Sequence, residues 1–308
     1  MIIVTALTRD REEIIDHAPE NRFLPVLSLL FAATLWGVVW YPLRLLEEAG
    51  LSGAWSALVS YGAILSLFLW VFIRDIDALR RNALPLLLMG LSAGWTNVAF
   101  IIAVIDGNVV RVLLLFYLSP FWAVCLGWLM LDERLDARSL QVFVIAVIGA
   151  FIMLWNTDIG LPWPTDRADW LAVSAGFAFA LSNVFVRRMQ AVSVLLKSTC
   201  SWTGNVTIAI AWIVISGTGM PDAGLPVYGW AVLLGLCGFL IMTVTVLYGV
   251  TRMPVHRSAV ILLFELVAGA VSALLLTDEI ILLREWIGGG MIIMAAWLAA
   301  RIHAGDNA

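Results

Sequence analysis

Hydrophobic positions in this chain come in long runs, without the strict alternation of a half-buried strand or the narrow stripe of a surface helix. Ten such runs lie at 24–43, 53–73, 84–105, 110–131, 139–156, 169–187, 195–216, 227–250, 258–276 and 284–301. Each approaches the roughly 20 apolar residues that a helix needs to cross a bilayer. Short polar segments join them, and the longest, 157–168, carries Pro162 and Pro164 near the middle of the chain. The pattern predicts an all-α polytopic membrane protein of ten transmembrane helices. Residues 1–23 and 302–308 read as cytoplasmic tails. Residues 24–156 and 169–301 form two five-helix halves, with 157–168 as a linker.

Composition points the same way. Apolar residues make up 62% of the chain and charged residues 13%, and mean hydropathy is +0.97. A soluble domain carries about 25% charged residues, so a soluble enzyme is excluded. A net charge of −4 and a single lysine, Lys197, exclude a nucleic-acid-binding chain. Cys125, Cys200 and Cys237 are far apart and sit in apolar runs, against a disulfide scaffold. The first 23 residues mix acids with arginines, unlike the apolar core of a signal peptide. If the N-terminus is cytoplasmic, 14 of the 18 Lys and Arg residues fall inside, leaving Arg44, Arg111, Arg167 and Arg284 outside. That bias supports ten spans with both termini inside.

The halves echo each other. Asp132-Glu133 follows the fourth run and Asp278-Glu279 follows the ninth, 146 residues later. Five spans per half is odd, so the second copy enters from the opposite side. Such inverted repeats surround a central cavity in many secondary transporters.

The stretch Leu118-Ser119-Pro120 followed by an apolar segment and Asp132-Glu133-Arg134-Leu135 resembles the fourth-span signature of the EamA-type drug/metabolite transporter superfamily. Phe264-Glu265-Leu266 resembles its ninth-span counterpart, with Leu266 where proline is usual. Asp132 and Asp278 stand where glycine is common. The resemblance implies a multi-pass protein of the bacterial inner membrane that exports small metabolites. It points to the aromatic amino-acid exporter branch, so aromatic or other neutral amino acids come first as cargo. Sugars, nucleosides, drugs and a channel function are the alternatives. The partners implied are a small-molecule substrate and the lipid bilayer, with neither cofactor nor nucleic acid. Spans five and ten lack mid-span polar residues and are expected to pack outside the cavity or at a homo-oligomer contact.

Candidate cavity residues are the polar and polar-tipped side chains at mid-depth. Glu265 lies eight residues past Arg257, about 12 Å along a helix. A carboxylate there costs roughly 2.5–3.5 kcal/mol on insertion scales, so it faces protein or water. Glu265 shares a helical face with Ala268, Gly269 and Ser272, which suits a cavity wall or a close helix contact. Trp36 and Trp40 share a face of the first span, and Trp36 is the deeper. Gly90 and Gly94 form a small-residue motif for close helix approach, followed by Trp95 and Asn97. Asn97, Asn183 in span six, and Asn205 with Trp202 in span seven point to the cavity or to interhelical hydrogen bonds. Pro120 frees a backbone carbonyl near Tyr117 and Ser119. Tyr248 is a candidate aromatic wall.

Other chemistries are not encoded. There is no GxxxxGK[ST] motif for an ATP-driven motor. His17, His256 and His303 do not pair at metal-ligand spacing. No Gly-Tyr-Gly-type filter marks a potassium-type channel.

Overall fold

A computed structural model describes residues 23–107, 109–155, 163–276 and 282–306, and these are helical with short connections. Among them, nine helices are long and apolar enough to cross a membrane. They are α1 (Leu24–Glu48), α3 (Ala83–Ala103), α4 (Arg111–Leu131), α5 (Ala137–Leu154), α6 (Arg167–Arg188), α7 (Val194–Ser216), α8 (Leu225–Arg252), α9 (Val255–Leu276) and α10 (Leu283–Ile302). Between α1 and α3 lies α2 (Gly53–Phe68), apolar but shorter. The run expected over 53–73 is divided by a turn at Leu69, and a separate short helix covers Trp70–Arg74. The second Asp-Glu pair, Asp278-Glu279, lies outside the described residues.

Local chemistry sets several helix starts. Asp136, Asp166 and Ser193 cap α5, α6 and α7 by accepting the backbone N–H of Ser139, Asp169 and Leu196 at 3.0, 2.9 and 3.2 Å. Helix α4 ends on Asp132 with φ of 55°, the left-handed region that costs a residue with a Cβ roughly 1–2 kcal/mol. That conformation gives a physical reason for glycine at this position, and aspartate is among the residues that tolerate it. The turn lets the Glu133 amide bond back to the Gly127 carbonyl at 3.1 Å.

The helices pack in a pattern that repeats between the halves. Helix α3 lies against α6, and α8 against α1; α4 lies against α6, and α9 against α1. Helices α2 and α7 pack together, as do α4 and α9, and α5 and α10. Each contact maps onto another, or onto itself, when the first five helices are exchanged with the last five. Two breaks repeat as well. Helix α4 is interrupted at Tyr117–Leu118 and α9 at Leu263. Each break is tightened by i→i+3 bonds, Phe121 to Leu118 at 2.9 Å and Leu266 to Leu263 at 3.0 Å. Pro120 accounts for the first; the second forms without a proline.

Close approach depends on missing side chains. A Cβ on Gly204 would overlap the backbone carbonyl of Gly90, and one on Gly94 would overlap that of Gly204. The small-residue motif of α3 thus serves helix contact, as expected, with α7 as its partner. Gly149 and Gly288 bring α5 and α10 together in the same way. The stripe after Glu265 also serves a helix contact: Ser272 Oγ donates to the Gly37 carbonyl at 3.1 Å. Large exposed apolar side chains, among them Phe151, Ile293 and Trp297, face outward where lipid would lie. Trp70, Trp163, Trp170 and Trp230 are all exposed, as suits an interfacial belt.

Charged groups tie α4 to α6 at both ends. Arg111 Nε lies 2.8 Å from Asp169 Oδ2, and the arginine also reaches the Trp163 carbonyl. At the other end Glu133 Oε1 accepts from Arg187 Nε at 2.9 Å, and its second oxygen accepts from the Val255 amide at 2.8 Å. Arg187 also donates to the Thr251 carbonyl at 2.9 Å. Lys197, counted from sequence as a charge between spans six and seven, is instead fully buried. Its Nζ donates to Thr251 Oγ1 at 2.5 Å and to the Met189 carbonyl at 3.2 Å.

The α3–α7 contact can be tested directly. Gly204→Ala should lower the apparent melting temperature of the purified protein by several degrees, since forcing one carbon into a packed contact costs about 1–3 kcal/mol. Gly62→Ala, where an added carbon meets nothing within 4 Å, should leave it unchanged. Equal shifts would contradict this account of the helix crossing.

Candidate substrate cavity

A cavity of about 160 Å³ lies among the helices. Four helices of each half, α1 to α4 and α6 to α9, contribute its described lining residues, and α5 and α10 contribute none of these. Helical spacing explains which side chains reach it. Helix α3 presents Ala93, Thr96, Asn97 and Phe100, at i, i+3, i+4 and i+7. Helix α6 presents Phe179, Ser182 and Asn183, and α7 presents Ser201 and Asn205, four residues apart. The two broken helices behave differently. At their turns, α4 offers Phe116, Tyr117, Ser119 and Pro120, and α9 offers Leu262, Leu263 and Glu265. The breaks bring Tyr117 and Ser119 of α4 and Leu263 and Glu265 of α9 to the cavity beside their turns.

The polar groups are organised by hydrogen bonds across the halves. Asn97 Nδ2 donates to Asn205 Oδ1 at 2.7 Å and to the Ala93 carbonyl at 3.0 Å. Asn205 Nδ2 in turn donates to the Ser201 carbonyl at 3.0 Å. Tyr117 and Glu265, beside the breaks of α4 and α9, both line the cavity. Phe116 packs against Phe100, Tyr117 and Phe179 with ring centroids 4.8, 5.3 and 5.9 Å apart, making one aromatic wall. Trp36 and Tyr61 face another part of the cavity, both packed on Phe239.

Eight residues singled out from the sequence come together here: Trp36, Asn97, Tyr117, Ser119, Pro120, Asn183, Asn205 and Glu265. Four others lie elsewhere. Trp40 donates from Nε1 to Ser272 Oγ at 2.9 Å, in the α1–α9 contact. Trp95 donates to Ser174 Oγ at 3.1 Å, between α3 and α6. Trp202 is fully buried against Phe68. The Tyr248 ring lies under the Arg252 guanidinium, 3.8 Å from its centroid. The indoles of Trp40 and Trp95 satisfy their N–H against a neighbouring helix, so depth alone does not separate a helix contact from a cavity.

Sequence reasoning missed Tyr61, Phe100, Phe116 and Phe179, and the hydroxyls of Thr96, Ser182 and Thr243. Phe100 and Ser182 were within reach, being three residues from Asn97 and next to Asn183. Tyr61 carries no such signal.

Comparison with known proteins places this geometry. Residues 23–155 and 166–301 each match the EamA-like transporter family. The chain is 23% identical over 246 residues to a probable amino-acid metabolite efflux pump of Escherichia coli, covering 75% of this chain and 82% of the relative. It is 24% identical over 221 residues to an uncharacterized transporter of Archaeoglobus fulgidus, covering 67% and 72%. To an uncharacterized transporter of Pseudomonas aeruginosa it is 27% identical over 199 residues, covering 62% of this chain and 63% of the relative. A crystal structure of a protein 18% identical superposes with a TM-score of 0.68, covering 92% of this chain and 99% of that one, and shows a shared fold. The two family matches fall on the two halves whose packing repeats, and this multi-pass membrane protein belongs to the EamA-like transporter family, with the family's domain present twice.

Proposed function

We propose that this transporter of small metabolites exports aromatic or other neutral amino acids, and compounds of that type, by alternating access. The observation that carries the reading is the cavity itself. Its polar and aromatic lining comes in equal numbers of helices from both halves, so a rocking of one half against the other would open it to each side in turn. A volume near 160 Å³ resembles the engineered cavity of about 150 Å³ that admits benzene, a fit for one aromatic ring. The name of the Escherichia coli relative, an amino-acid metabolite efflux pump, supports the cargo class.

The repeated packing and the matched breaks in α4 and α9 support an inverted pair of five-helix repeats, 24–156 and 169–301 joined by 157–168. In that arrangement α2, extended by Trp70–Arg74, is the tenth span. The charge bias supports both termini in the cytoplasm, and the family resemblance supports a bacterial inner membrane. The outward faces of α5 and α10 are left for lipid or a second copy of the chain.

Two experiments test this. In proteoliposomes, unlabelled phenylalanine inside should drive saturable uptake of labelled phenylalanine. Trp36→Ala and Asn97→Ala should each cut that counterflow about tenfold, equivalent to about 1.4 kcal/mol, while the yield of folded protein stays near normal. Unsaturable flux with single-channel currents would favour a channel, and a parallel loss of yield and flux would make both residues packing elements. For topology, reporters fused after Ala308 and within 217–226 should report the cytoplasm and the exterior respectively. The same side for both would break the ten-span arrangement.

A further inference from the structure

The charge inventory of the cavity is lopsided. Its described lining residues include one carboxyl, Glu265, and no lysine, arginine or histidine. The nearby cations are engaged elsewhere: Arg187 with Glu133, and Lys197 with Thr251 and backbone carbonyls. The carboxamides carry no counter-charge. Both amide hydrogens of Asn97 are spent, on Asn205 and on Ala93, which leaves its oxygen as the group free to meet a ligand. One amide hydrogen of Asn205 is spent on Ser201. Among its described lining residues the site thus offers a carboxyl and no cation, beside the aromatic wall of Phe100, Phe116, Tyr117 and Phe179. Glu265 and that wall line the same cavity.

We infer that the cavity recognises its cargo by an ammonium group, held between the Glu265 carboxyl and the aromatic faces, and provides no counter-charge for a carboxylate. An ammonium ion is attracted both by a carboxylate and by the face of an aromatic ring. A cargo carboxylate in the same small, poorly hydrated space would lie close to Glu265 without a cation, and burying an unpaired charge is expensive. Aromatic or apolar primary amines and amino-acid esters are therefore the preferred ligands. Free amino acids bind through the ammonium end alone, and acids lacking the amine are excluded. This rests on the transport reading above and narrows its cargo.

Calorimetric titration of the purified full-length protein at neutral pH tests it, with phenethylamine, phenylalanine methyl ester, phenylalanine and 3-phenylpropionate as probes. The amine and the ester should bind roughly tenfold or more tighter than phenylalanine, and 3-phenylpropionate should give no binding. Glu265→Gln, which keeps the volume and removes the charge, should weaken the amine at least about tenfold and abolish its advantage over phenylalanine. Tyr117→Phe, which leaves the carboxyl in place, should retain the preference. The series on the unmodified protein decides the matter even if Glu265→Gln fails to fold. Phenylalanine or 3-phenylpropionate binding as tightly as phenethylamine would overturn the inference, as would binding of none of the four. Phenylalanine counterflow alongside equal binding of amine and amino acid would overturn only the ligand preference; absence of all counterflow would overturn the transport reading.

Discussion

The crossing of α3 over α7 at Gly90, Gly94 and Gly204 is the contact on which the cavity depends. Lipid tails are as apolar as leucine, so helices in a bilayer are held mainly by close packing and polar contacts. With backbones touching at Gly204, the next turn brings Asn97 to 2.7 Å from Asn205. That pair joins the first half to the second within the cavity wall. A larger residue at the crossing would separate the helices and break the bond between the part-buried Asn97 and the buried Asn205, where an unmet buried acceptor costs about 1–3 kcal/mol.

The same economy governs the rest of the interior. Every helix break must satisfy its backbone locally because no water is available in hydrocarbon. The turns in α4 and α9 do so with tight i→i+3 bonds, and Tyr117 and Glu265 beside them line the cavity. Ion pairs then fasten α4 to α6 at both ends, through Arg111 with Asp169 and Glu133 with Arg187. The second pair is only 18% and 17% exposed, and losing one partner of a buried pair typically costs about 3–5 kcal/mol. Because Glu133 also receives the amide of Val255, one carboxylate links the end of α4 to the start of α9. The two broken helices are thus joined near one membrane face.

Much of this was legible from residue types alone. Run length and charge placed the helices, and the glycines at 90 and 94 announced a close contact without naming α7. Mid-depth polar residues led to Asn97, Asn183 and Glu265, because a polar group in hydrocarbon has few places to go. Tryptophans were a weaker guide: Trp40, Trp95 and Trp202 serve helix contacts, and an indole's large apolar body suits either setting. The phenylalanine wall was invisible because phenylalanine faces lipid, core and cavity equally well. The burial of Lys197 was not legible, since a lysine at a helix start can extend its amine to carbonyl groups as readily as to water. The shortness of α2 was hidden because nothing in the run 53–73 marks Leu69 as a turn.

The central claim is that cargo occupies the cavity between the halves and that both sides of the membrane reach it in turn. Thiol labelling tests this most directly. Cys125, Cys200 and Cys237 would be replaced by alanine and Ser119, which lines the cavity at the α4 break, by cysteine. The account predicts reaction with a membrane-impermeant thiol reagent applied to either side of sealed vesicles, and protection from both sides when cargo is present. Labelling from neither side, or labelling that cargo never slows while counterflow proceeds, would contradict it.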